Sequence, residues 1–163
     1  MFFAGFLASG ENKSAPGDVG WEALGRDNDD LSKELNPDTE NGRNVLGEAT
    51  FKLSGYSPEV NVNPYYVDDE SPMYEKLKAA AVEEKRSDQD IKGYFVEATY
   101  TAATATTLTG TGFMREAYIV PESTGGDTAG VGIPFTVHPV GPMTEVRVTY
   151  TMATRAVAIT AAT

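Results

Sequence analysis

The chain carries one histidine, His138, and no cysteine. Any nucleophile activated by an imidazole must therefore use that single residue. His138 stands between Val137 and Pro139, where an apolar run meets a turn former, and it reads as a structural turn histidine. Metal centres of the histidine or thiolate type are excluded by the same count. Carboxylates are abundant, 24 in all, so an acid and base pair of the glycosidase kind stays open by number, but no spacing singles out two of them. The run Asp27, Asn28, Asp29, Asp30 invites a calcium ion. The EF-hand pattern also needs a glycine and a distant glutamate in register, and neither follows, so the run reads as a solvated acidic loop. Residues 123–130 resemble a phosphate loop only in their glycines. They lack the Gly-Lys-Ser/Thr ending, open no helix and place Asp127 where an anion would sit, which leaves a flexible connector between strands.

Composition narrows the classes further. The 163 residues (17.5 kDa) hold 13 basic and 24 acidic side chains, for a formal charge of −11 and a pI near 4.4. One domain is expected, burying roughly 70% of the surface of its unfolded chain. The charge argues against binding nucleic acid by affinity, which needs clustered Lys and Arg, and against docking on an anionic membrane. Residues 1–10 are rich in Phe, Leu and Ala but lack a basic leading region and are too short to span a bilayer. Neither a transmembrane helix nor a signal peptide is expected; cleavage would need a small-residue site near Ala8 or Ser9.

The elements that must position any site are mostly strands. Residues 10–44 are rich in glycine, proline and acidic side chains and read as loop, with a short strand around Trp21 and Leu24. A structureless stretch of that length is usually functional or ordered by a partner. From Leu46, Ala49, Phe51 and Leu53 alternate with Glu48, Thr50 and Lys52, the mark of a half-buried strand. A short edge strand over residues 59–62 lies between Pro58 and Pro64. A helix is expected over residues 71–87, capped by Ser71 with Pro72 at its first position. Asp68, Asp69 and Glu70 lie at its positive end, and Lys85 and Arg86 at its negative end. Met73, Leu77, Ala80 and Ala81 form a narrow stripe, which suits a helix laid close against a sheet. Residues 93–101 and 110–120 read as a hairpin joined by an Ala/Thr-rich link. Its second arm is apolar on both faces and must be covered on both. A glycine-rich loop precedes a strand at 133–137, and a tight turn at 139–142 leads into the clean alternation of Val146, Val148, Tyr150 and Met152. Residues 153–163 are extended in propensity with nothing internal to pair with, as for a frayed tail or an arm on another subunit.

Several spaced phrases together resemble the phage tail tube proteins of long, non-contractile tails. They are Trp21 to Gly25, Leu31 to Thr39 and Val45 to Glu48; then Gly55, Tyr56, Pro58 and Tyr65; then Val120, Pro121, Ser123 and Gly125 to Asp127, leading into Ile133 to Phe135, His138, Pro139 and Gly141. The resemblance covers roughly residues 20–151. Residues 1–10 and the link at 101–109 have no counterpart in it.

The resemblance implies a mainly β fold, a sandwich or barrel of two small sheets with one flanking helix, a long inter-ring loop and extended terminal arms. In this division residues 1–20 are an N-terminal arm, 21–152 the tail-tube domain with its loop at 25–45, and 153–163 a C-terminal arm. It implies a structural virion protein, not an enzyme and without cofactor, whose hexameric rings stack into a tube that conducts genomic DNA during ejection. Its partners would be further copies of itself together with tape-measure, tail-tip and tail-terminator proteins, with DNA passing unbound and no membrane involved. The protein would be made in the host cytoplasm and carried in the phage tail. The inter-ring loop would present Asp27, Asp29, Asp30, Leu31, Leu35, Asp38 and Arg43. The polar strand faces Glu48, Lys52, Glu97, Thr99, Glu145 and Arg147 are the candidates for a lumen lining, where net negative charge repels phosphates. Two other classes compete. A β-sandwich binding module of a virion or surface fibre would expose an aromatic patch around Tyr65, Tyr66 and Tyr74. A carboxylate hydrolase would need a pocket with two carboxylates, one of raised pKa.

Overall fold

The computed structural model describes residues 1–7, 16–68, 70–84, 87–128 and 130–162. The small-residue site at Ala8 and Ser9, Gly10, Asp69, the helix-end cations Lys85 and Arg86, Ala129 of the glycine-rich loop and Thr163 lie outside the described residues. Eleven strands, two α-helices and one 3-10 turn (Pro16–Asp18) are described: β1 (Phe2–Leu7), β2 (Val19–Ala23), β3 (Pro37–Arg43), β4 (Ala49–Tyr56), β5 (Val60–Val62), α1 (Tyr74–Val82), α2 (Asp88–Ile91), β6 (Lys92–Ala103), β7 (Thr107–Pro121), β8 (Gly125–Gly126), β9 (Val131–Gly132), β10 (Phe135–Thr151) and β11 (Ala156–Ala161). The fold is mainly β, as expected.

Six strands make one antiparallel sheet in the order β11-β10-β7-β6-β1-β2, with β5 added against β10. β11 at one edge lies against β2 at the other, so the sheet nearly closes into a barrel. Strand side chains alternate between faces, and each face here has its own core. The inner cluster takes Phe3, Trp21, Val96, Met114, Val148 and Ile159, one from each of the six strands, with their neighbours. The outer cluster sets Phe95, Ile119, Phe135 and Val137 of the sheet against Val60, Val62, Met73 and Leu77. Helix α1 thus lies against the outer face, as its narrow stripe implied. Close strand approach needs bare Cα atoms in β7 among other places: a Cβ on Gly110 would collide with the carbonyl oxygen of Thr99, and one on Gly112 with that of Glu97.

Several expectations are corrected. Residues 2–7 are not an arm but β1, paired on one side with β2 and on the other with β6, with Phe3 and Ala4 fully buried. A six-residue apolar run suits a strand covered on both faces. The C-terminal stretch also finds an internal partner: β11 pairs with residues 146–151 of β10 and buries Ile159. Part of the expected 25–45 loop is β3, which pairs with β4 in a separate hairpin. β4 forms as expected but is not half-buried, because among the described residues it pairs with β3 alone and neither face is covered.

The helix is shorter than residues 71–87. Ser71 donates its hydroxyl to Glu22 and accepts the Met73 N–H ahead of the helix, which begins at Tyr74 with Met73, a residue without a capping side chain, at its N-cap. It ends at Val82, shortly before Glu84 at φ 49°. The separate α2 starts from Ser87, whose side chain accepts the Gln89 N–H. The hairpin of β6 and β7 runs further than 93–120, absorbing most of the Ala/Thr link, and its tip is closed by Thr104, whose Oγ1 accepts the Thr107 N–H. The two strands expected around 139–142 are one strand, β10. Pro139 and Pro142 lie within it, and the anticipated turn is a bulge between Val140 and Thr144 with Gly141 at φ 72°. A bulge tolerates the missing amide hydrogens that a regular ladder would need.

Candidate functional site

Three surfaces stand out. The first is the hairpin of β3 and β4, in which nearly every residue is exposed. Its turn is fixed by Asn44, whose Oδ1 accepts the Leu46 and Glu48 N–H groups at 2.9 and 3.0 Å while Nδ2 donates to Glu48 at 2.7 Å. Gly47 completes the turn at φ 79°. The ordered tip holds Val45 fully in solvent and Leu46 79% exposed; Phe51, on the strand behind, is 69% exposed. Apolar side chains displayed on a rigid projection mark a contact surface. Of the expected inter-ring residues, Asp38 and Arg43 lie on β3, Leu35 is half exposed just before it, and Asp29 and Asp30 are exposed in the preceding loop. The other two are structural. Leu31 packs on the outer core, and Asp27 accepts the Tyr66 N–H and pairs with Arg26.

The second surface is the outer face of the sheet beyond the reach of α1. Register puts Glu97, Phe113 and Glu145 side by side across β6, β7 and β10, and Thr99, Thr111 and Arg147 in the next row. Alternation turns these outward while Val146 and Val148 turn in. Four of the six candidate lining residues, Glu97, Thr99, Glu145 and Arg147, therefore share one face. Glu48 and Lys52 do not join them; they sit on the hairpin, where Lys52 pairs with Glu40 at 3.5 Å. Two features of this face were missed. Phe113 is 53% exposed in its centre, flanked by both glutamates, and Lys33 reaches in from the loop to pair with Glu97. The odd-numbered alternation of β7 could have placed Phe113 there; nothing in the sequence points to Lys33.

The third is a cavity of about 360 Å³ between β2, the segment before α1 and the turn joining β10 to β11. Trp21, Leu24 and Met152 contribute apolar surface, and Glu22, Arg26, Asp68 and Arg155 contribute charge. Asp68 Oδ2 accepts from Arg26 and from Arg155, each at 2.9 Å. The Glu70 N–H, followed by these guanidiniums, holds the Asp68 carboxyl below the ordinary carboxylate range. Burial pushes Glu22 the other way, opposed by hydrogen bonds from Ser71 and Tyr65. The Tyr65 hydroxyl, 3.0 Å from either Glu22 oxygen, is itself raised by burial and by that carboxylate. The cavity thus has two carboxylates, one of raised pKa, as a hydrolase would need. Both are engaged by side chains of the fold, however, and a substrate would have to displace those partners to reach them. Tyr65 is buried, so it forms no exposed aromatic patch with Tyr66 and Tyr74.

His138 is not a turn residue: it pairs with Tyr118 inside β10, ahead of the bulge, and its Nδ1 lies 3.9 Å from a Glu59 carboxylate oxygen at the root of the hairpin. Among the described residues no cluster of His, Cys, Asp or Glu could hold a metal ion, and no helix is long and apolar enough to cross a membrane. No protein-family model, curated protein or solved structure matches the chain.

Proposed function

We propose that the chain is a structural subunit of a long, non-contractile phage tail, polymerising as stacked hexameric rings into the tube that conducts genomic DNA. One observation carries the reading: an ordered hairpin displays Val45, Leu46 and Phe51 with no apolar layer among the described residues to cover them. A stable monomer gains nothing from that display, whereas a polymer buries it. The polar face of Glu97, Thr99, Glu145 and Arg147 fits the lumen in this reading, and the chain's charge of −11 keeps DNA from adhering to the wall. Its partners are further copies of itself and the tape-measure, tail-tip and tail-terminator proteins; it performs no catalysis, binds no cofactor and touches no membrane. The buried Tyr65 weakens the competing fibre-module reading. Purified protein at high concentration is expected to show rings or tubes by negative-stain microscopy and fast-sedimenting species in the ultracentrifuge. A monomer under every condition tried would remove the proposal.

A further inference from the structure

We infer that the cavity beside Trp21 and Met152 is the socket that receives the hairpin tip of a second copy of this chain. The inference rests on the tube reading above and names the surface on which its subunits engage.

The tip and the cavity match in chemistry. Val45 and Leu46 are two adjacent apolar side chains on a turn made rigid by Asn44, so little conformational freedom is lost on insertion. The cavity, about 360 Å³ with Trp21, Leu24 and Met152 in its lining, lies within the size range of sites that enclose small apolar groups. Charges flank both. Arg43 and Glu48 stand on either side of the tip, and Glu70 and Arg155 stand at the cavity. Arg43 against Glu70 and Glu48 against Arg155 would set opposite signs face to face and fix the orientation of entry. The socket is held in shape before any partner arrives, because Asp68 ties Arg26 and Arg155 together across it.

Placement decides the kind of assembly. The hairpin is rooted at the β10 bulge, where Asn36 and residues 56–59 meet residues 138–141. The cavity lies at the far end of the same strand, at Tyr150, Met152 and Arg155. About 30 Å of strand separates the two. A projection and a receptor formed by different surfaces of one subunit make a heterologous, head-to-tail contact, which propagates into a closed ring or an open stack.

The natural absence of cysteine gives a clean background for the test. Leu46→Cys and Met152→Cys are combined in one chain and the assembled protein is oxidised with diamide. A ladder of covalent multimers beyond the dimer on a non-reducing gel is expected, with each single variant stopping at the dimer. Rings or tubes visible by microscopy without a ladder would overturn the socket while leaving the tube reading in place; no assembly of the native chain at all would bring down both. Independently, Arg43→Glu should weaken self-association at least tenfold, and Glu70→Arg added to it should restore association, with melting temperatures unchanged throughout. Failure of the second change to restore binding would count against the assigned pairing and therefore against the socket. These four residues are exposed or at the cavity mouth, so folding is not at stake.

Discussion

The hairpin of β3 and β4 and the last half of β10 are written in the same alternating code and end in opposite environments. Ala49, Phe51 and Leu53 alternate with polar residues just as Val146, Val148 and Tyr150 do. Val146 and Val148 are buried inside the barrel, whereas Phe51 stands in solvent. Period-two alternation specifies a strand with one greasy face. It does not say whether the cover for that face comes from the same chain. In β10 the cover is β1, β2 and β6 across the barrel; for the hairpin nothing among the described residues serves.

The sharpest way to break this contrast is to charge both faces. Val148→Asp should cost on the order of 4 kcal/mol, because it buries an unpaired carboxylate in the inner core, and thermal melting should show the domain largely unfolded. Phe51→Asp should shift stability by no more than about 0.5 kcal/mol, as at an ordinary surface site, yet abolish tubes. If the two variants melt alike, the hairpin belongs to the core after all. Next in size, Leu77→Ala empties a fully buried site under α1 and should cost about 2–5 kcal/mol in denaturant unfolding. Replacing residues 37–56 by a short glycine and serine linker should leave the barrel's melting temperature within a few degrees while the protein sediments only as a monomer.

The smallest effect expected is on pH dependence. The Glu22 carboxyl holds its proton more tightly in the folded chain than in the unfolded one, so stability falls as pH rises from the ordinary carboxylate value through the raised folded one. Asp68 has the opposite sign: its lowered value stabilises the fold above the ordinary range, and that contribution is lost as pH falls through it. Glu22→Gln should therefore flatten the loss of melting temperature with rising pH, and Asp68→Asn should flatten the loss on acidification. An unchanged profile in Glu22→Gln would show that its burial is relieved in solution.

Much of the fold was legible because strands announce themselves locally. The alternation of Tyr94, Val96 and Ala98, the short edge strand at residues 59–62 and the apolar stripe of α1 all appear where their patterns place them. What stayed hidden were non-local decisions. The run Phe2 to Phe6 is equally suited to lying on a neighbour or between β2 and β6, and only the finished sheet selects the second. Ser71 has the sequence signature of a helix cap and does accept the Met73 N–H, but the helix starts later, at Tyr74, and the bond from Ser71 to Glu22, far off in the chain, is not legible locally. The exposed sheet face could be read in part, since alternation alone groups Glu97 with Thr99 and Glu145 with Arg147. The cavity could not, because its walls come from three distant segments whose meeting depends on the near-closure of the barrel.

That β1 lies between β2 and β6 also sets a clock on assembly. β1 can pair with β2 early, but its other neighbour follows by roughly ninety residues, on the order of ten seconds of synthesis. Long-range pairing of this kind folds slowly. The projecting hairpin is complete well before the sheet, while the proposed socket waits for Tyr150 to Arg155. A chain whose residues 150–155 have not yet been made thus offers its knob but cannot receive one, and growth waits for subunits whose sheet is complete.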